Sequence, residues 1–295
     1  MTISPFDQLP PEKVETSADG FPINPDVMFT DKKSRHHNRI EKRQRKFLEQ
    51  CRFLAPFLEP GETIQRITTG CSPISIWEQL LSGWIVFYMK RAMFIFTDRR
   101  IFHVPTNMNF KYRGSIAQIR YADCQSLTVS RHVLKVRYNN GSTEKFIYIP
   151  GPDRAVLKNF LTGVTTGSEQ EPRTHLCPNC TAKLPPKVDN CAACGQQFKS
   201  RSRATKLSWM FPGGGYFYTG HPLMGFSDAV TEVILTVLLV ASIVSITKGE
   251  PAFPAALFGF ILVIEKLMTV HHAIGWIEEF IPIEKPGIQR LPQKR

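Results

Sequence analysis

The sequence predicts a multidomain α+β protein with a small β-barrel and its C-terminal helix, a small cysteine-rich metal-binding unit, and a two-helix transmembrane hairpin. Three observations predict this fold class. Short apolar runs separated by turn residues fill positions 60–163, two Cys-x-x-Cys pairs follow, and two long apolar runs lie near the C-terminus. A length of 295 residues is also about twice that of an ordinary single domain, which favours several domains.

Composition narrows the class of protein before any motif is considered. A hydrophobic content of 42% with 21% charged residues excludes wholesale disorder, and a mean hydropathy of −0.16 excludes a chain that lies mostly inside a bilayer. The net charge of +12 favours anionic partners, either nucleic acid or the cytoplasmic surface of a membrane. The predicted segments are a flexible leader at 1–30, a basic amphipathic helix at 31–59, the barrel at 60–163, a linker at 164–175, the metal unit at 176–198, the membrane hairpin at 205–283 and a basic tail at 284–295.

The basic segment has the pattern of an amphipathic helix. Between Asp31 and Arg52 there are nine Lys or Arg residues and three acidic residues, while apolar side chains recur on one helical stripe. One interpretation is a helix docked on the next domain with a solvated charged face. The other is contact with a membrane surface or nucleic acid, for which the candidates are Arg43, Arg45 and Lys46.

The barrel is predicted from a series of short strands. Strand-like runs begin at Glu62, Arg91, Ile101, Ser115 and Ser126, and the clearest hairpin joins two runs through Asn139-Asn140-Gly141. A helix near Asp153 then presents the apolar face that would plug the barrel's open end. This order, with Thr97-Asp98-Arg99-Arg100-Ile101 at a turn, resembles the bacterial pleckstrin-homology-like (PH-like) and GRAM-like domains over about a third of the chain.

Two features of this segment are candidates for contact with anionic lipid. The resemblance makes Arg99 and Arg100 candidate headgroup ligands, although the same turn is ordinary for a surface hairpin. In addition, Trp77, Trp84 and Tyr88 recur at helical spacing beside Lys90 and Arg91, in a run too short to span about 30 Å of hydrocarbon. That run predicts either an interfacial segment or a buried core helix.

The four clustered cysteines are the strongest local signal. Cys177, Cys180, Cys191 and Cys194 form two Cys-x-x-Cys pairs, and four thiolates complete the tetrahedral shell that Zn²⁺ prefers. The pattern resembles a zinc ribbon, with a structural zinc ion, because all four ligand positions would come from the protein. Cys51, Cys71 and Cys124 lie among apolar neighbours and are predicted to be buried thiols.

Two apolar runs predict transmembrane helices at about 226–246 and 252–274. The short connection 247–251 carries no net charge, whereas the flanking segments 201–206 and 285–295 are basic, so both termini are predicted to be cytoplasmic in a bacterial inner membrane. Glu232 interrupts the first run, and Glu265-Lys266 interrupts the second. The alternatives are a soluble helical hairpin or a proton-handling role for the acidic residues.

A glycine-rich turn precedes the first apolar run. It is similar to the P-G-x-G-x-F-Y-x-G stretch of TM2-type membrane domains, and the resemblance covers about seventy residues. It departs from that family in the charged pair at Glu265-Lys266. The matching residues are Pro212, Gly213, Gly215, Phe217, Tyr218 and Gly220.

No catalytic motif was found, so the prediction is a non-enzymatic integral membrane protein. Its PH-like domain and zinc ribbon would bind the membrane surface through anionic lipid headgroups, a protein partner, or both. The alternatives are a zinc-ribbon adaptor for nucleic acid or protein, and a small transporter or proton-handling subunit. Nucleic acid is the weaker of these partners because no stacking aromatic residues alternate with basic residues near the ribbon.

Overall fold

The computed structural model describes residues 15–17, 20–76, 78–79, 83 and 85–284. It is a mixed α+β structure that divides into two compact units, one running to Leu184 and the other beginning at Pro185. The strands of the described part are β1 Glu15–Thr16, β2 Pro22–Ile23, β3 Ile64–Cys71, β4 Arg91–Thr97, β5 Arg100–Pro105, β6 Ile116–Arg120, β7 Cys124–Ser130, β8 Val133–Tyr138, β9 Thr143–Phe146, β10 Thr174–Leu176 and β11 Lys183–Leu184.

Both units contain α-helices, and the two longest helices of the described part are in the second unit. A 3-10 helix at Arg52–Phe57 follows the second helix, and another at Tyr121–Asp123 joins β6 to β7. The α-helices are α1 Pro25–Met28, α2 Asn38–Gln50, α3 Ile85–Met89, α4 Gly151–Thr162, α5 Arg201–Met210, α6 Gly214–Thr219, α7 Pro222–Ile246 and α8 Phe253–Ile277.

The strands of the first unit form two sheets. Eight strands pair in the order β1-β2-β3-β4-β5-β6-β10-β11, and β7-β8-β9 form a separate antiparallel sheet. All neighbours in the large sheet are antiparallel except β2 and β3. The predicted strands are therefore present, and the helix predicted after them is α4.

The prediction that these strands close into a barrel is wrong. The free edge of β6 is taken by β10, which pairs His175 with Ala117, so β7 starts a new sheet after the Tyr121–Asp123 turn. The sequence offered no signal for β10, because residues 164–175 have the composition of a linker. An isolated bridge between Cys71 and Ile147 links the two sheets.

The prediction of a flexible leader is wrong for residues 20–30, which are folded onto the sheet. Phe21, Ile23, Met28 and Phe29 are buried in the same core as β3 and β4, and β2 pairs in parallel with β3. These apolar side chains have no helical or alternating period, which is why the sequence pattern did not reveal their burial. Residues 1–14 lie outside the described part of the chain.

The second unit is helical. α5 and α6 pack against α8, and the long helices α7 and α8 pack against each other. The bounds of α7 and α8 agree with the predicted runs to within a few residues. Both helices are long and apolar enough to span a membrane.

Candidate metal and membrane sites

The two Cys-x-x-Cys pairs form knuckles of the same geometry. The N–H of Thr181 donates to the Cys177 carbonyl (2.9 Å), and the N–H of Gly195 donates to the Cys191 carbonyl (2.8 Å). Thr181 and Gly195 each follow the second cysteine of their pair, and both have a left-handed backbone, with φ of +62° and +74°. Glycine adopts this conformation freely, so the sequence indicates a left-handed backbone at Gly195 but not at Thr181.

All four predicted ligands lie close together. The sulfur atoms of Cys177, Cys180, Cys191 and Cys194 lie within 4.8 Å of one another. The first cysteine of each pair is buried, and the second is more exposed. A set of four thiolates suits a soft or borderline metal ion such as zinc or an iron–sulfur centre. The cluster could therefore bind a metal ion whose ligands all come from the protein.

The other three cysteines are buried, as the sequence predicted. Burial raises the pKa of the Cys51 thiol and of the Cys124 thiol to about 12. Burial likewise raises the pKa of the Cys71 thiol to about 11, against the opposing influence of the Arg91 charge. Each therefore remains a protonated thiol at neutral pH, which is the unreactive form.

Helix α2 is docked on the sheet and exposes a basic face, which agrees with the docked-helix interpretation. Gln44 is fully buried, its amide donates to the Ile67 carbonyl (2.7 Å), and its carbonyl accepts from the Ile67 N–H (3.0 Å). The Gln44 side chain therefore makes the two backbone hydrogen bonds at Ile67 that a neighbouring strand would otherwise make. The apolar pattern of the sequence did not indicate this role. The exposed basic residues in and before α2 are Lys32, Lys33, Arg35, Arg39, Lys42, Arg45 and Lys46.

The three basic residues singled out on this helix have different surroundings. Lys46 is exposed, and Arg45 pairs with Glu41 across one helical turn (2.6 Å). Arg43 pairs instead with the buried Asp153 (2.5 Å), which also holds the fully buried Arg66 (2.7 Å). Arg43 therefore belongs in part to the interior of the unit, whereas Arg45 and Lys46 lie on the surface.

Arg66 and Asp153 bind the N-terminal segment to the sheet and to α4. The Arg66 guanidinium donates to the carbonyls of Met28 (2.8 Å) and Thr30 (3.0 Å), and Thr68 donates its hydroxyl to Asp153 (2.8 Å). A buried charge is tolerated only when it is paired and hydrogen-bonded. This network is therefore structural, and the sequence gives no indication that these residues meet.

The structure separates the two arginines of the predicted lipid-binding turn. The Arg99 side chain is 45% exposed and pairs with Glu59 (3.2 Å). Arg100 is buried, pairs with Glu62 (2.6 Å), and donates to the Phe57 carbonyl (2.9 Å) and the Gln118 side chain (2.5 Å). The prediction that Arg100 contacts the membrane surface is therefore wrong, because its guanidinium is buried and bound by groups inside the fold. Trp77 and Trp84 lie outside the described residues.

The apolar side chains of α7 and α8 are exposed along most of both helices. Only 6% of the most apolar stretch of each helix is buried. Val237 is 61% exposed and Phe260 is 64% exposed. A soluble helical hairpin would bury one apolar face of each helix, so this exposure is what lipid contact requires.

The glycine-rich turn brings backbones into close contact beside these helices. Gly213 has φ of +67°, and a Cβ atom there would lie 2.0 Å from the Gly225 carbonyl oxygen. At Gly215, a Cβ atom would lie 2.1 Å from the Ser208 hydroxyl and 3.2 Å from the Ala273 Cβ atom. These glycines therefore let α6 pack against α5, α7 and α8. Among the other matched residues, Pro212, Phe217 and Gly220 are exposed, and the Tyr218 hydroxyl accepts from the Ser200 N–H (3.1 Å).

A buried ion pair joins α7 to α8. Lys266 pairs with Glu232 and donates to the Ser208 carbonyl in α5 (2.8 Å). Glu232 also accepts from the Gly213 N–H (3.3 Å). The side chains of Lys266 and Glu232 are only 11% and 3% exposed. Lys266 therefore pairs across helices with Glu232 and not with its sequence neighbour Glu265.

Further polar groups surround this pair. Thr269 donates to Asp228 (3.1 Å), and carboxylate oxygens of Asp228, Glu232 and Glu265 lie within 4.8 Å of one another. His272 is buried and forms a hydrogen bond with the Tyr216 hydroxyl (2.8 Å), whereas His271 is exposed. The adjacent histidines thus point to different sides of α8, as helical geometry predicts.

Comparisons with known proteins do not place the chain in a family. No family model matches the sequence, and no curated protein matches it. A structural match covers 37% of this chain and 87% of a solved chain described as the C-terminal domain of an unknown protein from Leishmania infantum, with 14% identity and a TM-score of 0.25. A similarity of this size carries no argument about fold or function.

Proposed function

We propose that this chain is a non-enzymatic integral membrane protein whose first unit binds the membrane surface. The observation that carries the proposal is the exposure of the apolar side chains around α7 and α8. The free energy of hydrophobic transfer, about 25 cal/mol per Å² of apolar surface, opposes leaving two such helices in water. A bilayer removes this cost, and each 25-residue helix is long enough to cross it.

The proposed location is a bacterial inner membrane with both termini in the cytoplasm. The connection between α7 and α8 has Lys248 balanced by Glu250, whereas α5 carries Arg201, Arg203 and Lys206 without an acidic residue. Basic segments are retained on the cytoplasmic side. The neutral connection therefore lies on the opposite side of the membrane from α5.

The proposed metal is zinc in a structural, ribbon-like unit. Support comes from the matched knuckles and from the four clustered sulfurs. Cys177, Cys180, Cys191 and Cys194 would hold the ion, which would supply folding energy and no reactive ligand position. Binding of a protein partner by this unit is an additional part of the proposal.

The proposed surface contact is made by α2 in a PH-like or GRAM-like domain. The order of strands β3 to β9 followed by α4 supports this assignment, even though the sheets are not closed. The seven exposed basic residues in and before α2 supply the positive charge, and each Lys or Arg near an anionic bilayer contributes about 1 kcal/mol to binding. The ligands of this surface would be anionic lipid headgroups.

Hydrogen–deuterium exchange of the full-length protein in nanodiscs tests this contact. We expect slower exchange in α2 when the discs contain phosphatidylglycerol than when they contain only phosphatidylcholine, and we expect high salt to reduce the difference. Charge reversal at Lys42, Arg45 and Lys46 should abolish it. The matched control reverses three exposed charges on the small sheet and should retain it: Lys135, Arg137 and Lys145. Equal exchange of α2 in the two lipids would refute the surface contact.

A second candidate function is proton handling by the polar groups of α7 and α8. It is favoured by the cluster of Asp228, Glu232 and Glu265 within the proposed membrane helices, because ionisable residues there often mark transport paths. Proteoliposomes with a pH-sensitive dye test it. A proton flux that is lost in E232Q and E265Q would support transport, and absence of flux in the wild type would oppose it.

A further inference from the structure

A cavity of about 370 Å³ lies in the first unit, and none of its lining residues belongs to α2. It opens where the C-terminal end of β3 meets the start of β4, close to the bridge that links the two sheets. Its volume is at the lower end of the range of small-molecule sites. The lining residues are Thr69, Gly70, Cys71, Phe87, Tyr88, Arg91, Phe110 and Tyr148.

The walls combine aromatic rings with one positive charge. The Arg91 guanidinium lies over the rings of Tyr88 (4.7 Å) and Phe110 (5.3 Å), and Phe87 packs edge-on against Tyr148 (4.8 Å). Arg91 donates to the Met108 carbonyl (2.9 Å). Within the part of the chain that the structure describes, no carboxylate forms an ion pair with Arg91. The cavity therefore presents an unneutralised cation at the edge of an apolar space.

The aromatic walls are held in place before any ligand binds. Phe110 and Tyr148 both have a left-handed backbone, with φ of +56° and +62°, a conformation that is unfavourable for residues with a Cβ atom. Asn107 fixes the loop that contains Phe110, because its side-chain oxygen accepts from the N–H groups of Asn109 and Lys111 (both 2.9 Å). Tyr148 follows Ile147, whose carbonyl accepts from the Cys71 N–H (2.8 Å).

The cavity is suited to binding and not to covalent chemistry. The lining includes one thiol, that of Cys71, which donates its S–H to the Phe87 carbonyl (3.4 Å). Burial raises its pKa to about 11, so the thiolate is absent at neutral pH. The remaining polar wall residues offer one guanidinium and hydroxyl groups.

We propose that this cavity binds an amphiphilic anion and takes up one of its apolar chains. The tail would lie among the rings of Phe87, Phe110 and Tyr148, and the carboxylate or phosphate would contact Arg91. A cationic ligand is disfavoured by Arg91, and a small inorganic anion would leave the aromatic walls unused. This binding differs from the proposed surface contact of α2. A discrete cavity would select one kind of molecule, whereas a basic helix attracts any anionic bilayer.

Photo-cross-linking of the full-length protein in phosphatidylcholine nanodiscs tests the proposal. The probe is a fatty acid with a diazirine on its tail, and cross-linked peptides are mapped by mass spectrometry. We expect labelling of the peptides that contain Phe87, Phe110 or Tyr148. Competition by decanoate should remove the label, whereas decanol and inorganic phosphate should compete at least about tenfold more weakly, since decanol lacks the charged hydrogen-bond acceptor and phosphate lacks the apolar chain.

Two variants and one control separate the cavity from general membrane partition. R91Q should reduce labelling at the cavity about tenfold, and T69W should fill the space and abolish it. R137Q makes the same change at an exposed position of β8 and should label as the wild type does. Because T69W could disturb the sheet, R91Q and R91K provide independent evidence: R91K should retain more labelling than R91Q, since it keeps the charge.

A second probe identifies the source of the ligand. A phosphatidylglycerol with a diazirine on one acyl chain is placed in the same discs. Arg91-dependent labelling of the cavity by either probe supports the proposal, and the probe that labels more strongly indicates a free amphiphile or a bilayer lipid. Labelling confined to α7 and α8, or cavity labelling unchanged in R91Q and R91K, would overturn the proposal without affecting the expected surface contact of α2.

Discussion

Replacing Lys266 with methionine should destabilise the packing of the two proposed membrane helices. Lys266 pairs with Glu232 and donates to the Ser208 carbonyl, and both charged side chains are almost fully buried. The methionine side chain is similar in length to lysine but carries no charge. The change therefore leaves the Glu232 carboxylate buried, with only the Gly213 N–H (3.3 Å) as a described hydrogen-bond donor.

The size of the effect follows from this geometry. Breaking a buried ion pair by removing one partner costs about 3–5 kcal/mol, because the other charge is left uncompensated. K266M and E232L should each show a loss of this size. The double variant E232L/K266M should be within about 1–2 kcal/mol of the wild type, since it leaves no buried charge and loses the hydrogen bonds to the Ser208 carbonyl and from the Gly213 N–H.

Reversible unfolding of the full-length protein in sodium dodecyl sulfate, followed by tryptophan fluorescence, measures these differences. K248M is the matched control, because it makes the same change at an exposed residue of the connection between α7 and α8 and should alter stability by less than about 0.5 kcal/mol. The reasoning would be refuted if K266M were as stable as K248M. It would equally be refuted if the double variant lost as much stability as the two single variants together.

Three further predictions test the glycine turn, the cysteine cluster and the buried Glu62–Arg100 pair. G215A should cost about 1–3 kcal/mol by overpacking, and S208A/G215A should recover most of that loss in the same unfolding assay, because the clash at 2.1 Å is with the Ser208 hydroxyl. C191S should lower the zinc content measured by atomic emission from one ion per chain and increase proteolysis between 176 and 198, whereas C51S, which changes a buried cysteine outside the cluster, should keep its zinc. Although burial alone would raise the pKa of Glu62, hydrogen bonds from Arg100, the Glu59 N–H and Thr97 outweigh it and hold the pKa below 4.5. A lowered folded-state pKa stabilises the fold above the unfolded value and loses that contribution as the pH falls through the folded value, so thermal melting should show stability falling below about pH 4.5, with a smaller fall in E62Q.

The structure confirms the features that depended on local spacing. The strands beginning near Arg91 and Val133 are β4 and β8, and the two apolar runs are α7 and α8. Each cysteine pair turns on itself within five residues, and the four sulfur atoms lie close together. Such features repeat over a few residues, so the sequence is enough to locate them.

The predictions of a closed barrel and of a flexible leader were wrong because residues far apart in the sequence are in contact in the fold. β10 occupies the edge of β6, which prevents the expected closure of the barrel. Arg66 captures the carbonyls of Met28 and Thr30, which orders part of the expected leader. Neither contact has a sequence period, because the partners are separated by more than thirty residues.

The sequence by itself determined the strands β3 to β9, the helices α2, α4, α7 and α8, the two cysteine pairs, and which helices are apolar enough to meet lipid. Only the tertiary structure decided which polar groups meet: Lys266 pairs with Glu232 and not with Glu265, and Arg100 is buried while Arg99 is exposed. The physical reason is that side-chain periodicity specifies a face of a helix or strand, whereas the energy of a charge depends on its distance to every other charge and on its exposure to water. Those two quantities exist only once the chain is folded.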